Sequence, residues 1–394
     1  MRIDRIEARA ISDSRGRPTV EVILHAGTLH AMASVPSGKS TGSHEAVELR
    51  AADGGVMKVL GNITGEIASE LAARDFSTPD ALDGFLVDLD GTPDKARLGA
   101  NAILAVSIAS QRLFAEVDGV PLWKAIEKRG GFAAAPPQLY VNLINGGAHA
   151  NFRLPFQEHM LVCKGKTSEA FAIVRTAFAK LGARLGDVPM GDEGGYAPVF
   201  DTLEKPFELL ASLVDEYPRT RIAIDAAANE LRANAGYDLL GKHLKPTQLA
   251  QVYEGLAAHF PLHSIEDPFS EDASADFAYL TDALRGECLV VGDDFTATNP
   301  LRIERAAREQ AINAVLIKPN QIGSVKEAIE AVCITRSYGW EPICSHRSGE
   351  TMDTFIADFA YGVGAHGIKA GGFAQKERIA KYERLLEIER EAAE

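Results

Sequence analysis

Six short apolar segments in the second half of the chain each end on a residue that could take part in chemistry. Three carboxylates come first, followed by two lysines with a histidine between them: Asp225, Glu266, Asp293, Lys318, His346 and Lys369. Carboxylate oxygens are the ligands that Mg²⁺ prefers in proteins, and no cysteine or histidine stands among the first three. A partly desolvated lysine beside a divalent cation loses its proton more easily and can act as a base. The pattern indicates a magnesium site with acid–base partners.

A plainer interpretation applies to each carboxylate taken alone. A single aspartate at the end of a strand often only caps the following helix. Three in succession, each after a strand that is apolar on both faces, favour metal binding instead. The neighbouring Asp293 and Asp294 leave open which of the two is the ligand.

The spacing of the six segments predicts a (β/α) barrel. The stretches between them mostly have the pattern of amphipathic helices, and this alternation is typical of a parallel sheet buried on both faces. Two further strands (139–144 and 157–162) and two helices (168–184 and 203–216) precede the six units. We therefore predict a modified (β/α)₈ barrel of the order ββαα(βα)₆, with its active site at the carboxyl ends of the strands.

A smaller α+β domain is predicted before the barrel. Three strand-like stretches (3–11, 19–24 and 29–35) suggest an antiparallel meander, and helices are predicted at 56–73 and 100–117. Glycine and proline pairs at 130–131 and 136–137 mark a linker, because these residues end regular elements. We place the two domains at residues 1–130 and 131–394.

The loop at residues 36–42 predicts a mobile lid over the barrel mouth. Its sequence, Pro-Ser-Gly-Lys-Ser-Thr-Gly, lacks the spacing of a phosphate-binding loop, and we expect the following residues 45–50 to be helical. Within the lid, Ser40 could bring a hydroxyl to a metal–phosphate pair.

Composition excludes several classes of function. The chain has 394 residues, 46% of them hydrophobic and 24% charged, as expected for a globular protein. A formal net charge of −14 argues against binding to nucleic acids or anionic membranes. The sequence shows neither a run long enough to span a bilayer nor the apolar block of a signal peptide. Four widely spaced cysteines favour reduced thiols, and we expect a cytoplasmic protein.

Two rim loops carry groups suited to an anionic substrate. The segment 345–348, Ser-His-Arg-Ser, combines a guanidinium with hydroxyls, which matches the geometry of a phosphate or carboxylate. The segment 191–195, Gly-Asp-Glu-Gly-Gly, places Glu193 in a turn where the backbone can approach a ligand. The loop between the first two barrel strands contributes His149, Gln157 and Glu158.

Eight motifs are spread over nearly the whole chain: Asp13-Ser-Arg-Gly, Pro36-Ser-Gly-Lys-Ser-Thr-Gly, Gly99-Ala-Asn-Ala-Ile-Leu, Asn145-Gly-Gly-Ala-His, Gly191-Asp-Glu-Gly-Gly, Ser264-Ile-Glu-Asp-Pro, Lys318-Pro-Asn-Gln-Ile-Gly and Ser345-His-Arg-Ser-Gly-Glu-Thr. Together they closely resemble the motifs of the enolase family (phosphopyruvate hydratase). The resemblance implies dehydration of 2-phosphoglycerate to phosphoenolpyruvate with two Mg²⁺ ions per active site. It also implies a homo-oligomer, either a dimer or an octamer.

The resemblance also implies a role for each candidate residue. Asp225, Glu266 and Asp293 are expected to hold the first Mg²⁺, and Ser40 to join the second. Lys318 is expected to remove the C2 proton, while Glu193, helped by Glu158, protonates the departing C3 hydroxyl. The expected substrate-binding residues are His149, Gln157, Ser345, His346, Arg347, Ser348, Lys369 and Lys39.

The chain also departs from the usual family pattern. Lys39 stands where alanine is usual, His159 where phenylalanine is usual, and Ala370 where threonine or serine is usual. The loop 149–156 is unusual as well. Lys39 and Arg153 add positive charge near the mouth, which suggests a substrate or second substrate with more negative charge than 2-phosphoglycerate alone; compensated drift is the other interpretation.

Three functions are therefore considered. The first is a magnesium-dependent enolase of glycolysis. The second is an enolase paralogue of phosphonate metabolism, similar to carboxyphosphonoenolpyruvate synthase, which uses the same metal site on a more anionic substrate. The third is a non-catalytic binding or structural protein on an enolase scaffold, which the retained acid–base and metal positions disfavour.

Overall fold

The computed structural model describes residues 1–39 and 42–393, and the chain begins with a three-stranded antiparallel sheet. Its strands are β1 (Arg5–Ser12), β2 (Pro18–Ala26) and β3 (Leu29–Ser34). The helical segments that follow are α1 (Met57–Asn62), a π-helical turn (Ile63–Ile67), α2 (Ala68–Ala72), α3 (Pro79–Asp90), α4 (Ala100–Val117) and α5 (Leu122–Gly130). Most of α4 is buried, because it contacts β2 and β3 on one side and helices of the second half of the chain on another.

A closed barrel surrounded by helices makes up the rest of the chain. Its strands, together with a small separate sheet, are β4 (Gln138–Asn145), β5 (Glu158–Cys163), β6 (Thr220–Asp225), β7 (Arg232–Ala233), β8 (Gly236–Leu239), β9 (Lys242–Leu244), β10 (Leu262–Glu266), β11 (Leu289–Gly292), β12 (Ala314–Ile317), β13 (Glu341–Ser345) and β14 (Gly367–Lys369). The barrel order is β10-β11-β12-β13-β14-β4-β5-β6, while β7, β8 and β9 form the separate sheet.

The helices of this half are α6 (Thr167–Leu185), α7 (Lys205–Glu216), α8 (Pro246–His259), α9 (Ser274–Ala283), α10 (Pro300–Arg308), α11 (Pro319–Ile322), α12 (Val325–Ser337), α13 (Phe355–Gly362) and α14 (Lys376–Glu391). Short 3₁₀ turns lie at Gly147–Ala150 and Ala228–Leu231. The barrel interior is a separate cluster of apolar side chains: Tyr140, Met160, Val162, Ala223, Val291, Ala314, Leu316 and Ile343. This layer separates the two ends of the barrel from each other.

One barrel strand has the opposite direction to the rest. β5 is antiparallel to both β4 and β6, whereas the other neighbouring strands are parallel. Its first residue, Glu158, is therefore level with Asn145 and Asp225, the last residues of its two neighbours. An antiparallel strand thus brings its amino end to the rim where the parallel strands bring their carboxyl ends.

The architecture confirms the predicted fold class, a ββαα(βα)₆ barrel preceded by a smaller α+β region. One local prediction is wrong: residues 45–50 are not helical. Their backbone donors bond to distant parts of the chain instead, from Ala46 to the carbonyl of Gln321 and from Val47 to that of Asp94, each at 2.7 Å. The sequence analysis also missed α3, α5 and the sheet of β7 to β9. In the described part of the chain, every helix is too short or too polar to cross a membrane.

Candidate active site

Three carboxylates from neighbouring strands meet at one rim of the barrel. Glu266 ends β10 and is level with Asp225, which ends β6. Asp293 directly follows β11, the next strand round. All three residues are buried, with exposed fractions of 3%, 3% and 8%. Because parallel strands end at a shared edge, the three residues lie on one rim. Among the described residues, however, only Asp293 of the three belongs to a group of carboxylates within 4.8 Å of one another, and its partners there are Asp267 and Asp294.

Lys369 lies in the middle of the acidic rim. Its Nζ is 2.9 Å from Glu266 Oε1, 3.1 Å from Asp225 Oδ2 and 3.0 Å from Glu158 Oε1. Burial lowers the pKa of Lys369, but Asp225 and Glu158 together raise it well above its usual value. The pKa of Glu266 is raised by burial and by Asp225. One ammonium thus balances several buried carboxylates, which leaves the rim with excess negative charge.

Lys318 occupies the neighbouring part of the rim. Its Nζ donates to Asp293 Oδ2 at 2.5 Å, and Gln321 Nε2 donates to the other oxygen of this carboxylate at 2.9 Å. Burial opposes the charge of Lys318, yet the contact with Asp293 raises its pKa. The carboxylate shifts the other way: burial raises the pKa of Asp293, but Lys318 brings it below its usual value.

A second acidic cluster adjoins the first. Oxygens of Asp267, Asp293 and Asp294 lie within 4.8 Å of one another. Asp267, whose φ of 41° is in the left-handed region, accepts hydrogen bonds from the backbone amides of Asp293 at 2.9 Å and Asp294 at 2.8 Å. Burial, with the charge of Asp293, raises the pKa of Asp294 to about 7. Buried carboxylates that repel one another suit a divalent cation.

Glu158 and Glu193 form a pair of buried carboxyl groups on the opposite side of the mouth. Burial and the neighbouring Glu193 raise the pKa of Glu158 well above its usual range. Burial acts the same way on Glu193, but His149 and His346 bring its pKa well below that range. The environments therefore push the two pKa values apart, and they favour a proton on Glu158 over one on Glu193.

The ring orientation of His346 is fixed from outside the barrel. Arg378 of α14 donates to His346 Nδ1, and because a guanidinium cannot accept, the ring proton must lie on Nε2. That nitrogen faces Glu193 Oε2 at 3.4 Å, while His149 Nδ1 lies 3.6 Å from Glu193 Oε1. Burial lowers the pKa of His149, and that of His346 to about 4. Burial thus favours the neutral form of both imidazoles, whereas the neighbouring Glu193 favours the charged form.

The turn that carries Glu193 requires glycine for close packing. A Cβ at Gly191 would lie 2.5 Å from Cβ of Asn145, and one at Gly195 would lie 2.8 Å from Oδ1 of the same asparagine. The backbone amide of Gly195 donates to this oxygen at 3.0 Å. The absence of side chains lets the turn lie against the end of β4 and aim Glu193 into the mouth.

These residues fit a divalent-metal site. Asp225 and the acidic cluster of Asp267, Asp293 and Asp294 line a cavity of about 590 Å³, whereas Glu266 is not among its lining residues. The cluster offers only oxygen ligands. A second group that could hold a metal ion, His149 with Glu158 and Glu193, mixes nitrogen and oxygen. Four buried atoms aimed at this region have no hydrogen-bond partner in the described chain: His149 Nδ1, Glu158 Oε2, Glu193 Oε2 and His346 Nε2. Such atoms indicate that the site is built to receive a polar ligand.

Two family models account for nearly the whole chain. One, described as the N-terminal domain of enolase, matches residues 3–126, and another, described as the C-terminal TIM barrel domain of enolase, matches residues 134–394. The chain belongs to the enolase family. It is an enzyme of the enolase superfamily, and its acidic clusters are those of a family that depends on magnesium.

Four more of the residues selected in this enolase-family chain line the cavity: Gln157, Ser345, Arg347 and Ser348. Arg347 binds both carboxylate oxygens of Glu45, at 2.8 and 3.1 Å, and Asn320 Oδ1 at 2.9 Å. Gln157 donates from its amide to Asp225 Oδ2 at 3.1 Å. The two serines of the same rim, Ser345 and Ser348, line the cavity.

Lys39 takes a different position from the one expected of a substrate-binding residue. Its Nζ donates to the carbonyl of Ala148 at 2.9 Å and to Asp192 Oδ2 at 2.6 Å, outside the main cavity. It therefore contacts the neighbours of His149 and Glu193 rather than the cavity itself. Ser40, the expected ligand of the second metal, lies outside the described residues.

Several residues at the site were missed by sequence reasoning. Asp267 could have been found, because it follows Glu266 at the end of the same strand. Glu45 and Arg378 carry no local signal, since they reach the site from a loop far along the chain and from the last helix. Arg378 is completely buried and also donates to the carbonyls of Arg347 and Ser348, at 2.7 and 2.9 Å.

Proposed function

We propose that this protein dehydrates 2-phosphoglycerate to phosphoenolpyruvate with two Mg²⁺ ions. One observation carries the proposal: a buried amine and a buried carboxyl pair stand on opposite sides of an acidic rim. Lys318 follows β12 and Glu158 begins β5, and these strands are four places apart in the eight-stranded order. A base on one side of a bound substrate and an acid on the other is the arrangement that a β-elimination requires.

The metal supplies charge stabilisation. Asp225, Glu266 and Asp293, with Ser40 at the second ion, would hold Mg²⁺, and the bound cations would stabilise the negative charge that develops on the substrate carboxylate when the C2 proton leaves. Asp267 and Asp294 adjoin Asp293 and extend the oxygen ligand set. The excess of carboxylates at this rim supports the assignment of the ions to this side of the mouth.

Lys318 would take the proton from C2 as its neutral amine. Two influences compete at its Nζ: burial favours the neutral form, and the contact with Asp293 favours the charged form. A cation that shared the Asp293 carboxylate would weaken this contact and leave burial to favour the neutral amine, which could then act as a base. The backbone amide of Lys318 donates to Thr298 Oγ1 at 2.9 Å and holds the residue in place.

The carboxyl pair would serve the leaving group. Glu158 holds a proton and Glu193 lies beside it, so the pair can deliver one proton to the departing C3 hydroxyl. His149 and His346 keep Glu193 aimed into the mouth. We assign the substrate phosphate to Arg347 and Ser348, because a guanidinium and a hydroxyl match its oxygens. Lys369, Gln157 and Ser345 complete the polar wall.

The test separates the two half-reactions. Wild-type protein with Mg²⁺ should form phosphoenolpyruvate, followed by its ultraviolet absorbance. Glu193→Gln should lose dehydration but keep exchange of the C2 proton with deuterated solvent, because Lys318 is intact. Lys318→Ala should lose both reactions. A wild-type protein that neither dehydrates 2-phosphoglycerate nor exchanges its C2 proton refutes the proposal.

A second candidate is an enolase paralogue of phosphonate metabolism that uses the same site on a more anionic substrate, similar to carboxyphosphonoenolpyruvate synthase. The position of Lys39 near the mouth favours it. This cation contacts Ala148 and Asp192, which directly precede His149 and Glu193 in the sequence. Normal turnover of 2-phosphoglycerate with an efficiency that Lys39→Ala leaves unchanged counts against this candidate.

We further propose a cytoplasmic homo-oligomer, either a dimer or an octamer. Membership of the enolase family supports this, because its members are often oligomeric. Light scattering of the purified protein measures the mass directly, and a mass of one chain at micromolar concentration contradicts the proposal. Fractionation of the source cells tests the location.

A further inference from the structure

A second cleft lies beside the reaction cavity and has the opposite charge. It has a volume of about 1040 Å³ and is lined by Arg15, Arg17 and Lys39 with one carboxylate, Asp192. The reaction cavity is lined in the described chain by eight carboxylates and only three lysine or arginine side chains. On a chain with a net charge of −14, this cleft is a local region of positive charge next to the mouth.

The positive charge in the cleft is only partly neutralised. Lys39 is paired with Asp192, and Arg15 contacts Asp13 at 3.3 Å. Within residues 1–39 and 42–393, the guanidinium of Arg17 makes neither a hydrogen bond nor an ion pair. Burial lowers the pKa of Arg15, and the nearby charge of Arg17 lowers it further although Asp13 opposes this. Two guanidinium groups therefore stand close enough to repel each other.

The wall between the cleft and the reaction cavity is thin. Arg15 Nη1 donates to Ser348 Oγ at 3.2 Å, and Ser348 lines the reaction cavity while Arg15 lines the cleft. On the other side, Asp192 lines the cleft and the adjacent Glu193 lines the cavity. The Nε of Arg15 is buried with no partner in the described chain. A molecule with two acidic groups a few bonds apart could reach both spaces.

We propose that this cleft is an accessory oxyanion subsite, which holds a second phosphate, phosphonate or carboxylate group of a substrate whose reacting end lies in the barrel mouth. The assignment to a substrate group rests on the proposed function; the binding of an oxyanion does not. Arg17 and Lys39 supply the charge, and Arg15 connects the subsite to Ser348. Guanidinium groups suit such a ligand, because their paired donors match two oxygens of one anion.

The first experiment measures binding without turnover. Chelator-treated protein is titrated with inorganic phosphate by calorimetry, and we expect saturable binding that Arg17→Ser weakens at least tenfold. The matched control is Arg308→Ser, which removes an exposed arginine from α10 on the outside of the barrel and should leave binding unchanged. Equal melting temperatures show that the variants are folded. Phosphate binding that is absent, or that Arg17→Ser leaves unchanged, overturns the proposal even if the enzyme dehydrates 2-phosphoglycerate.

The second experiment identifies the source of the oxyanion. If the subsite holds a substrate group, phosphate should inhibit turnover of the physiological substrate competitively. Arg17→Ser should weaken this inhibition tenfold. The same variant should raise KM for the substrate with little change in kcat. Inhibition or activation by phosphate that changes kcat alone indicates a separate effector and overturns the assignment to the substrate. Arg308→Ser again serves as the control.

Discussion

The two ends of the barrel both carry ionisable groups, but they treat charge differently. At the mouth, Lys369 and its carboxylate partners are almost completely buried. At the opposite end, which we call the floor, His263 and His366 face each other with their Nε2 atoms 3.0 Å apart. Glu341, which is 46% exposed, lies 3.2 Å from His366 Nδ1. Water can reach the second group, whereas the first depends on other residues for its neutralisation.

This difference indicates that buried charge lowers the stability of the fold at the mouth, where the chemistry is proposed. Removing a charge from water costs several kcal/mol unless partners compensate it. The mouth has more carboxylates than amines, and the raised pKa values of Glu158, Glu266 and Asp267 reflect that imbalance. The floor lowers this cost by exposing Glu341 and by keeping the ring of His263 neutral, because burial lowers the pKa of His263 to about 4. Substitutions at the two ends should therefore affect different properties.

The largest effect is expected at Lys318. Replacing it with alanine removes the proposed base, and kcat should fall by about 10³-fold or more, since a positioned acid–base group contributes about 10² to 10⁴. The matched change at the floor, His366→Gln, should leave kcat within twofold. Steady-state kinetics with 2-phosphoglycerate measures both. Comparable losses of kcat in the two variants would mean that the two ends differ in packing and not in their role in catalysis.

The next effect concerns the carboxyl pair. Glu193→Gln keeps the size of the side chain but removes its charge, and we expect kcat to fall by about 10² to 10³-fold. Glu158→Gln removes the carboxyl proton that the pair would deliver, so we expect a comparable loss. Kinetics of the two variants under one set of conditions measures both. A loss below tenfold for Glu158→Gln would mean that Glu158 does not hold the delivered proton.

A smaller effect is expected on metal binding. Asp225→Asn keeps a polar side chain next to Lys369 and Gln157 but removes one negative charge from the rim. Mg²⁺ should bind about 100-fold more weakly, and the rise in melting temperature on adding Mg²⁺ should shrink, because a ligand stabilises only the state that binds it. Glu341→Gln at the floor is the control and should keep the full rise. Calorimetry and thermal melting with and without chelator provide both measurements.

Much of the mouth could be predicted from the sequence because strand ends share an edge. Asp225, Glu266 and Lys369 each end an apolar segment, so the period of the βα units brings them together. Glu158 was selected with the loop between the first two barrel strands, and its role came from the family resemblance. The structure supplies the physical reason for its position, because its strand is reversed.

What the sequence could not give depends on contacts between distant segments. The stretch 45–50 has helix-forming residues, but its amides find partners in Asp94 and Gln321, and the helix does not form. Arg378 lies in a charged terminal helix that looks solvent-exposed from its composition, yet it is completely buried against the loop 346–348. The charge of the cleft depends on Arg15, Arg17 and Lys39, which only folding brings to one surface.

The smallest effect is expected on stability, at a buried ionisable group away from the mouth. His159 alternates with Glu158 along β5 and therefore faces the outer layer, where its ring lies 6.2 Å from that of Phe156 and 5.3 Å from that of Phe207. Neither ring nitrogen has a hydrogen-bond partner in the described chain. Burial lowers the pKa of His159 to about 4, although an interaction with the backbone of Ile144 opposes this.

Replacing His159 with phenylalanine should protect the protein from acid. The folded chain holds this ring neutral while the unfolded chain protonates it near pH 6.5, so its burial weakens stability progressively as the pH falls from about 6.5 towards 4. At pH 5 the loss amounts to about 2 kcal/mol, which His159→Phe should recover, whereas at pH 7.5 protonation contributes almost nothing. Urea unfolding at both pH values measures the difference, with His243→Gln on an exposed strand as the control. If the stability of His159→Phe falls between these pH values as much as that of the wild type, the ring is not held neutral by burial, and the outer layer of the barrel tolerates charge as the floor does.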